Sequence, residues 1–369
     1  MSKINVRSPY FINITAGGLV SATLKLRIYE GESSTSISGF QYELTSTAIN
    51  NSVTFEVSEL VRDYIENTFD GDYTNSAKWL RYEYSYVLGT GGGGGNGDAA
   101  IFDGYGYFED GSNPQNTQTV LQSNKTIYKY SDEPLRLPVH ITTSTEFTFL
   151  QDGSTIYNTT LESSTNSNNL IRYVSSETTG VHSWQDRVED DNGTIESLDC
   201  VKDFLGDVDL YGVDTIYVND GSTVEVYKVE NIEECKYNPY KVTFVNKFGA
   251  LQDLWFFKRS NLSLKTKEES YKANIVNNGT YSINSRQKTV FNKTGIERLQ
   301  LNTGFYPESY NETFRQLTLS EEVWINYDGD TLPITVMSSS LNYKTRVNDK
   351  LINYTIDVEF ANNKINNVR

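Results

Sequence analysis

The sequence predicts a mainly β fold, made of several antiparallel β-sandwich-like domains with one or two short helices. Two observations support this fold class. Patterns that alternate apolar and polar residues outnumber patterns with a helical period, and the 369 residues include 26 tyrosines, a residue type that suits the pleated, half-buried surface of a sheet. Two histidines and two cysteines supply few general bases, thiol nucleophiles or soft-metal ligands. We therefore expect no enzymatic activity, no cofactor and no required metal.

Charge and hydropathy exclude two classes of partner. The formal net charge is −16 and is spread along the chain, so phosphates would be repelled and sequence-specific nucleic-acid binding is not expected. No apolar stretch approaches the ~20 residues that cross a bilayer. The segment Met1 to Tyr10 lacks the basic and apolar regions of a secretory signal. We expect no membrane association, and folding in the cytoplasm where the chain is synthesised.

The chain length predicts more than one domain, because single cores stop growing at roughly 250–300 residues. We divide the chain into an N-terminal β domain (1–130), a middle domain rich in β-hairpins (131–238) and a C-terminal β domain (239–369). The first boundary falls at the polar, proline-containing stretch 131–134.

In the N-terminal domain, alternation predicts half-buried strands over residues 4–6, 11–14, 24–29 and 40–44. A helix is expected over Glu59–Phe69, with Ser58 as its N-cap and apolar residues at helical spacing on one face. The strand pattern resumes over Trp79–Leu88, where Leu80 and the tyrosines Tyr82, Tyr84 and Tyr86 lie on one side.

The run Gly89–Gly97 contains seven glycines. A phosphate-binding loop would need Gly-Lys-Ser/Thr at the start of a helix, and this run leads into Asp98 and another strand over Ala100–Phe102. We interpret the run as a long flexible loop tip between two strands, since glycine maximises backbone freedom. Such a loop would gain order only against a partner subunit, which makes Gly93 a candidate interaction residue.

The middle domain contains a weak internal repeat. Thr148–Ile156 and Ile216–Val224 each read as strand, Asp-Gly turn, strand, as expected for type I′ hairpins. The acidic segment Glu189–Gly193 lacks the ligand order of an EF-hand and is better interpreted as a solvated turn. His182-Ser183-Trp184 near Asp186 does not define a triad, because a triad is a property of the fold and not of adjacency.

The remaining histidine and the two cysteines offer no motif either. His140 lies in a strand-like context far from His182. Cys200 and Cys235 are 35 positions apart with no CxxC pattern, which fits neither a zinc site nor a redox site. We predict free, structural thiols.

The C-terminal half continues the strand signal. An Asn-x-x-Gly turn separates two aromatic strands over Tyr240–Phe257, and short strand-like runs follow at 262–267, 281–283, 288–291, 299–301, 322–325, 332–336 and 341–344. A short helix is expected over Glu308–Leu317. The last strand, Leu351–Phe360, places five large side chains on one face, namely Ile352, Tyr354, Ile356, Val358 and Phe360.

Three segments carry a resemblance to a known group of proteins: Phe244-Val245-Asn246-Lys247-Phe248-Gly249 with its aromatic second arm, the block from Trp324 through Pro333-Ile334-Thr335-Val336 to Phe360, and the opening Val6-Arg7-Ser8-Pro9-Tyr10. They resemble structural virion proteins of tailed bacteriophages, especially crAss-like and related phages of Bacteroidetes. The resemblance implies a virion protein that forms a homo-oligomeric ring in the neck, tail or baseplate, contacts copies of itself and other virion proteins, and carries no cofactor.

Two alternatives stay open at the level of sequence. A receptor-binding or carbohydrate-binding β module would also use exposed aromatic side chains, and a glycan-cleaving tail enzyme would need two carboxylates in a cleft, one with a raised pKa. For the ring protein, burial of aromatic side chains at subunit contacts would supply affinity. The candidate interaction residues are Phe244, Phe248, Trp255, Phe256, Trp324 and Gly93.

Overall fold

The computed structural model describes residues 2–34, 39–115, 118–130, 133–175, 187–189, 195–197, 202–204, 212–337 and 351–365. It is mainly β, with multiple antiparallel sheets and two short α-helices. The predicted fold class is confirmed.

The chain forms two compact units. The first comprises residues 1–233 and 243–255, and the second comprises residues 234–242 and 256–369. The first unit holds two separate hydrophobic clusters: one lies among residues 4–101, and the other joins Val120 and Ile127 to buried residues between Leu135 and Val229. The division into three domains stays a prediction.

The N-terminal part of the first unit consists of seven strands and one helix: β1 (Ser2–Asn5), β2 (Phe11–Thr15), β3 (Leu19–Tyr29), β4 (Tyr42–Thr47), β5 (Ser52–Glu56), α1 (Ser58–Arg62), β6 (Lys78–Leu88) and β7 (Gly91–Phe102). One five-stranded sheet has the order β1-β7-β6-β3-β4, and β2 pairs with β5 in a second, two-stranded sheet. The alternation in β3 buries Ala22, Leu24, Leu26 and Ile28 in the core that these elements share. The strands expected over residues 11–14, 24–29 and 79–88 are confirmed.

The predicted helix Glu59–Phe69 is wrong in length, because α1 ends at Arg62. Ser58 is not its cap; it lies inside the helix, and its hydroxyl donates to Glu56 instead. The apolar positions still turn inward, with Val61 and Phe69 buried. Further along, the Asn67 amide donates to Asp103 Oδ2 at 2.6 Å. Tertiary hydrogen bonding therefore replaces the helical pattern after one turn.

The interpretation of Gly89–Gly97 as a flexible loop is also wrong. Only Gly89 and Thr90 form the turn, and Gly91 to Gly97 belong to β7, which pairs in continuous register with β6 from Leu88↔Gly91 to Lys78↔Ile101. Glycine favours flexibility in an isolated chain, but neighbouring strand and side-chain contacts fix it here.

The middle part of the first unit contains β8 (Thr126–Tyr130), β9 (Arg136–Val139), β10 (Thr145–Gln151), β11 (Ser154–Leu161), β12 (Arg172–Ser175), β13 (Arg187–Glu189), β14 (Ile195–Ser197), β15 (Lys202–Phe204), β16 (Thr215–Asn219) and β17 (Val224–Ile232). Its main sheet has the order β11-β10-β16-β17-β8, and a three-stranded sheet has the order β15-β12-β9. Their core includes Phe147, Phe149, Ile216 and Val218.

The two repeated hairpins differ at their turns. Asp152 and Gly153 both have positive φ (52° and 76°), as a two-residue type I′ turn requires. In the second hairpin only Gly221 has positive φ, and four residues separate Asn219 from its partner Val224. The Asp220 carboxylate accepts the backbone N–H groups of Ser222 and Thr223 at 2.8 and 2.7 Å. That side-chain bonding stabilises a longer loop, so the predicted type I′ turn is wrong there.

The strands β18 (Tyr240–Val245) and β19 (Leu251–Phe256) flank the predicted Asn-x-x-Gly turn. The buried Asn246 side chain accepts the N–H groups of Phe248 and Ala250 and donates to Leu121 O at 2.7 Å. Gly249 has φ 79°, a conformation that favours glycine.

The second unit contains β20 (Lys258–Lys272), β21 (Lys288–Asn302), β22 (Tyr306–Pro307), α2 (Asn311–Leu319), β23 (Val323–Tyr327), β24 (Asp330–Val336), β25 (Leu351–Ile352) and β26 (Thr355–Phe360). Within it, β23, β24, β26, β21 and β20 are sheet neighbours in that order. The helix expected over Glu308–Leu317 is present as a 3-10 turn followed by α2.

The last predicted strand is split in two. Tyr354 lies between β25 and β26, where its N–H donates to Thr303 Oγ1 at 2.9 Å. All five side chains predicted to share the apolar face are nevertheless buried. The strand run expected at 341–344 lies outside the described residues.

Candidate interaction surface

A long β-hairpin projects from the sheet of the second unit. Strands β20 and β21 each contain 15 residues and pair from Lys258↔Asn302 to Lys272↔Lys288. On its other side β21 pairs with β26 only over Arg298–Asn302. We call residues 262–294 the arm. A two-stranded ribbon of this kind is marginally stable in water by itself.

The arm exposes large apolar side chains. Tyr271 and Phe291 are 53% and 64% exposed, although their ring centroids are only 6.1 Å apart. Six further residues of the arm are exposed large hydrophobics, namely Leu262, Leu264, Val276, Tyr281, Ile283 and Val290. Exposed apolar side chains in this number are typical of a surface that another molecule covers.

The tip of the arm is ordered by a tight turn. Asn277 and Thr280 exchange two backbone hydrogen bonds of 2.9 and 3.0 Å. The residues between them, Asn278 and Gly279, have φ of 48° and 78°, the pattern of a type I′ turn. The end of the arm is therefore a small hairpin of its own.

The arm also reverses the charge of the chain. Residues 262–294 contain six basic and two acidic side chains, a net charge of +4, against −16 for all 369 residues. The remainder of the chain therefore carries −20. Unlike charges steer association and fix register, so the arm suits an acidic surface such as the chain itself presents.

A second surface feature lies on the N-terminal sheet, where tyrosines of β6 cover glycines of β7. Tyr82, Tyr84 and Tyr86 face Gly97, Gly95 and Gly93 across the strand pair. A Cβ placed on Gly93 or Gly95 would lie 2.5 Å from the facing hydroxyl oxygen. The rings therefore occupy the volume that side chains of β7 would fill, an arrangement known to rescue glycine in strands.

The opposite face requires glycine for a different reason. A Cβ on Gly92 or Gly94 would lie 2.6 or 2.5 Å from the backbone carbonyl oxygen of Tyr86 or Tyr84. Glycine within a strand costs roughly 0.5–1 kcal/mol relative to alanine. The backbones of β6 and β7 therefore come too close at Gly92 and Gly94 for a larger residue. Gly93, the predicted interaction residue, lies in this paired strand opposite Tyr86.

The aromatic residues predicted for subunit contacts lie mostly in the core. Phe244 and Phe256 are fully buried, Trp255 and Trp324 are more than nine-tenths buried, and Phe248 is partly buried in the turn after β18. The rings of Phe244, Trp255, Phe256 and Trp324 pack within the chain, whereas Phe248 keeps part of its surface exposed and stays a candidate interaction residue. The sequence reasoning took these aromatic strands as interfaces because burial depends on which sheet faces pack together, which alternation alone does not decide.

The arm residues were missed as interaction candidates. The sequence pattern places Leu262, Leu264 and Phe291 in strand-like runs without separating them from core residues, and it does not include Tyr271. The local charge reversal was the signal that could have singled them out, since core strands rarely carry six basic side chains in 33 residues.

The described histidine has no catalytic environment. His140 Nδ1 lies 2.6 Å from the carbonyl oxygen of Leu170, and its ring packs edge-on against Phe102. Burial, together with the positive charge of Lys3, lowers the pKa of His140 to about 3. The imidazole therefore stays neutral and acts in packing. His182 and Cys200 lie outside the described residues, and Cys235 is an exposed free thiol.

Carboxylates were the other candidates for chemistry. Asp253 is engaged in a buried cluster, where Tyr73 donates to both of its oxygens at 2.6 Å and Thr243 donates at 2.7 Å. Burial, followed by the charge of Asp253, raises the pKa of Tyr73 well above its usual value, so that its proton stays in place. This cluster ties elements of the first unit together.

An open pocket is lined by Gln118, Thr119, Val218, Asp220, Thr223 and Glu225. The N–H groups of Thr223 and Ser222 lower the pKa of Asp220. That direction is opposite to the one a glycosidase acid needs, and the glycan-cleaving alternative stays a hypothesis. Among the described residues, no group of three or more His, Cys, Asp or Glu side chains is placed to hold a metal ion. The acidic segment 190–193 lies outside them.

No protein-family model matches the sequence, and no curated protein is similar to it. In the part of the chain that the structure describes, neither helix is long and apolar enough to cross a bilayer.

Proposed function

We propose that this chain is a non-enzymatic structural component of a tailed-phage virion and forms a homo-oligomeric ring in the tail or head–tail junction. The observation that carries the proposal is the arm, whose exposed aromatic pair and opposite charge suit it to a neighbouring copy of the same chain. The virion assignment comes from the resemblance of the segments around Phe244–Gly249 and Trp324–Phe360.

The arm supports a ring in particular through the symmetry of the contact it would make. A projecting ribbon that docks on a different surface of the next subunit gives a heterologous contact, which closes into a ring when the rotation permits. Burial of the Tyr271–Phe291 pair would supply affinity, and the charge difference would set the orientation. Ring formation also stabilises the ribbon, since neighbours would cover its exposed faces.

Mass measurement tests the oligomer. We expect native mass spectrometry and sedimentation of the full chain to give one dominant species whose mass is a multiple of 41.8 kDa. The double variant Tyr271→Ser/Phe291→Ser should shift the population towards monomer and keep its strand content by circular dichroism, because both side chains are exposed. Phe108→Ser is the matched control, since Phe108 is fully exposed outside the arm. It should leave the mass unchanged.

A wild-type chain that stays monomeric both alone and in particles would overturn the ring. Equal dissociation by Phe108→Ser would show that exposed aromatic residues act non-specifically. For the virion assignment, antibodies against the chain should label the tail or neck of purified particles in electron micrographs. Absence of the chain from particles would refute that part.

The same aromatic pair favours one second candidate, a carbohydrate-binding module, because exposed rings can also stack on sugars. Glycan binding by a monomeric or trimeric wild-type chain, lost in Tyr271→Ser/Phe291→Ser and retained in Phe108→Ser, would establish this function in place of the ring.

A further inference from the structure

The outer edge of β7 is open along its glycine segment. In the described part of the chain, β1 pairs with β7 only from Ser2↔Ala99 to Asn5↔Phe102. Residues Gly91–Gly97 therefore have a described strand neighbour on one side only, β6. Seven residues at about 3.3 Å each leave about 23 Å of strand edge without a described neighbour.

This edge lacks the usual protection against pairing. Natural edge strands carry charges, prolines or bulges, or are very short. From Gly91 to Gly97 the strand has no charged residue, no proline and no shift of register against β6. With a hydrogen atom in place of each glycine side chain, an added strand meets backbone groups without steric hindrance. Such an edge is the acceptor in β-strand addition.

We propose that the Gly91–Gly97 edge of β7 receives strand β20 from the arm of a second copy of this chain. The inference rests on the proposed function, because it names the surface on which the arm of the ring protein docks. Strand β20 fits the role of donor: it is the last strand of its sheet, it pairs only with β21 among the described residues, and its 15 residues exceed the length of the acceptor edge.

The two faces of the acceptor and the donor are complementary. On one face of the β6–β7 pair lie the rings of Tyr84 and Tyr86, and on one face of β20 lie Leu262 and Leu264. An added strand continues both faces of a sheet, so the leucines would extend the tyrosine face.

The opposite faces match in charge. Arg81 pairs with Asp98 at 3.1 Å and with Glu83 at 3.5 Å, so two carboxylates lie on the face beside the edge. The corresponding face of β20 presents Lys265 and Lys267, both exposed. The net charge of +4 on the arm, against −20 for the remainder of the chain, makes a second copy an electrostatically complementary partner.

Disulfide trapping between two full-length variants tests the contact. In a Cys200→Ser/Cys235→Ser background, one copy carries Asn96→Cys and a co-expressed, differently tagged copy carries Ser263→Cys, Lys265→Cys or Lys267→Cys. All four positions are exposed. We expect a mixed disulfide between the two copies for at least one of the three pairs. Ser46→Cys on β4, the opposite edge of the same sheet, is the matched control and should give none.

Hydrogen exchange supplies an independent readout. Outward N–H groups of Gly91–Gly97 should exchange at least tenfold more slowly in the wild-type oligomer than in Tyr271→Ser/Phe291→Ser. If the double variant dissociates while exchange at these glycines is unchanged and no mixed disulfide forms, the β7 site is wrong and the proposed function stands. A disulfide between two Asn96→Cys copies alone would mean that β7 pairs with itself, which also overturns β20 as the donor. A monomeric wild-type chain would refute both proposals.

Discussion

Alanine substitutions in the glycine segment of β7, Gly91–Gly97, test whether this segment is a paired strand or a flexible loop. Gly95 pairs with Tyr84 and Gly94 pairs with Ser85. An added Cβ at either glycine would meet Tyr84, but at a different atom in each case. A Cβ on Gly95 would meet the hydroxyl oxygen of Tyr84 at 2.5 Å, whereas a Cβ on Gly94 would meet the backbone carbonyl oxygen of Tyr84 at 2.5 Å. The ring can rotate away, and the carbonyl cannot without moving β6.

The expected magnitudes follow from that difference. Gly→Ala gains roughly 0.4–1 kcal/mol by restricting the unfolded chain, and overpacking typically costs 1–3 kcal/mol. For Gly95→Ala we expect a net loss of about 1 kcal/mol, because the Tyr84 ring yields. For Gly94→Ala we expect a loss of about 2–3 kcal/mol, because backbone must move.

Urea unfolding of the two variants, alone and combined with Tyr84→Ala, measures these losses. Removing the Tyr84 ring should cancel the loss of stability caused by Gly95→Ala and leave the loss caused by Gly94→Ala. A coupling energy of about 1–2 kcal/mol is therefore expected between Gly95 and Tyr84, and none between Gly94 and Tyr84. Circular dichroism before unfolding checks that each variant keeps its strand content. Tyr84→Ala alone is the reference for the cycle.

A flexible loop would respond differently. Both alanine variants would then lie within about 0.5 kcal/mol of wild type, as surface substitutions usually do, and deletion of Gly91–Gly95 would leave the melting temperature unchanged. That result would refute the paired strand. The structure predicts instead that this deletion removes nearly half of β7 and lowers the melting temperature clearly.

Two further predictions concern the cores. Ile356 is buried on β26, between β21 and β24. Ile356→Asp should lower the free energy of unfolding in urea by several kcal/mol, because it buries a carboxylate, whereas Ile356→Val should lower it by about 1 kcal/mol. An Ile356→Asp protein as stable as wild type would mean that this face is exposed. The pKa of His140 is about 3 in the folded protein, below the ordinary value near 6.5. As the pH falls, the unfolded chain therefore takes up a proton at this side chain before the folded chain does. The stability contribution is complete above pH 6.5 and is lost as the pH falls towards 3, by up to about 1.4 kcal/mol per pH unit. Between pH 7 and pH 4, His140→Gln should lose less stability than wild type, and equal slopes would contradict the assignment.

Local alternation was enough to identify many elements. The last strand illustrates why: Ile356, Val358 and Phe360 alternate with polar residues, and side chains on a strand alternate between two faces whatever the strand packs against. The same reasoning placed α2 near Glu308–Leu317 and identified the turn at Asn246–Gly249 from its residue types.

Two wrong predictions, the glycine loop and the long helix, share one cause: each segment contacts residues that are distant in sequence, and a local pattern does not contain those contacts. Glycines 91–97 favour disorder in isolation, and only the facing rings of β6 make a strand of them. The pattern of Glu59–Phe69 favours a helix, but the Asn67–Asp103 hydrogen bond and the inward turn of Phe69 end it early.

The sequence by itself determined the β class, the positions of most strands and the scarcity of residues for His or Cys chemistry, because those follow from composition and local periodicity. Tertiary structure decided which apolar residues are available to a partner. Phe244 and Tyr271 both lie in aromatic, alternating strands, yet one packs in the core and the other projects on the arm. That distinction depends on how far each strand extends beyond its neighbours in the sheet, a long-range property that no local pattern contains.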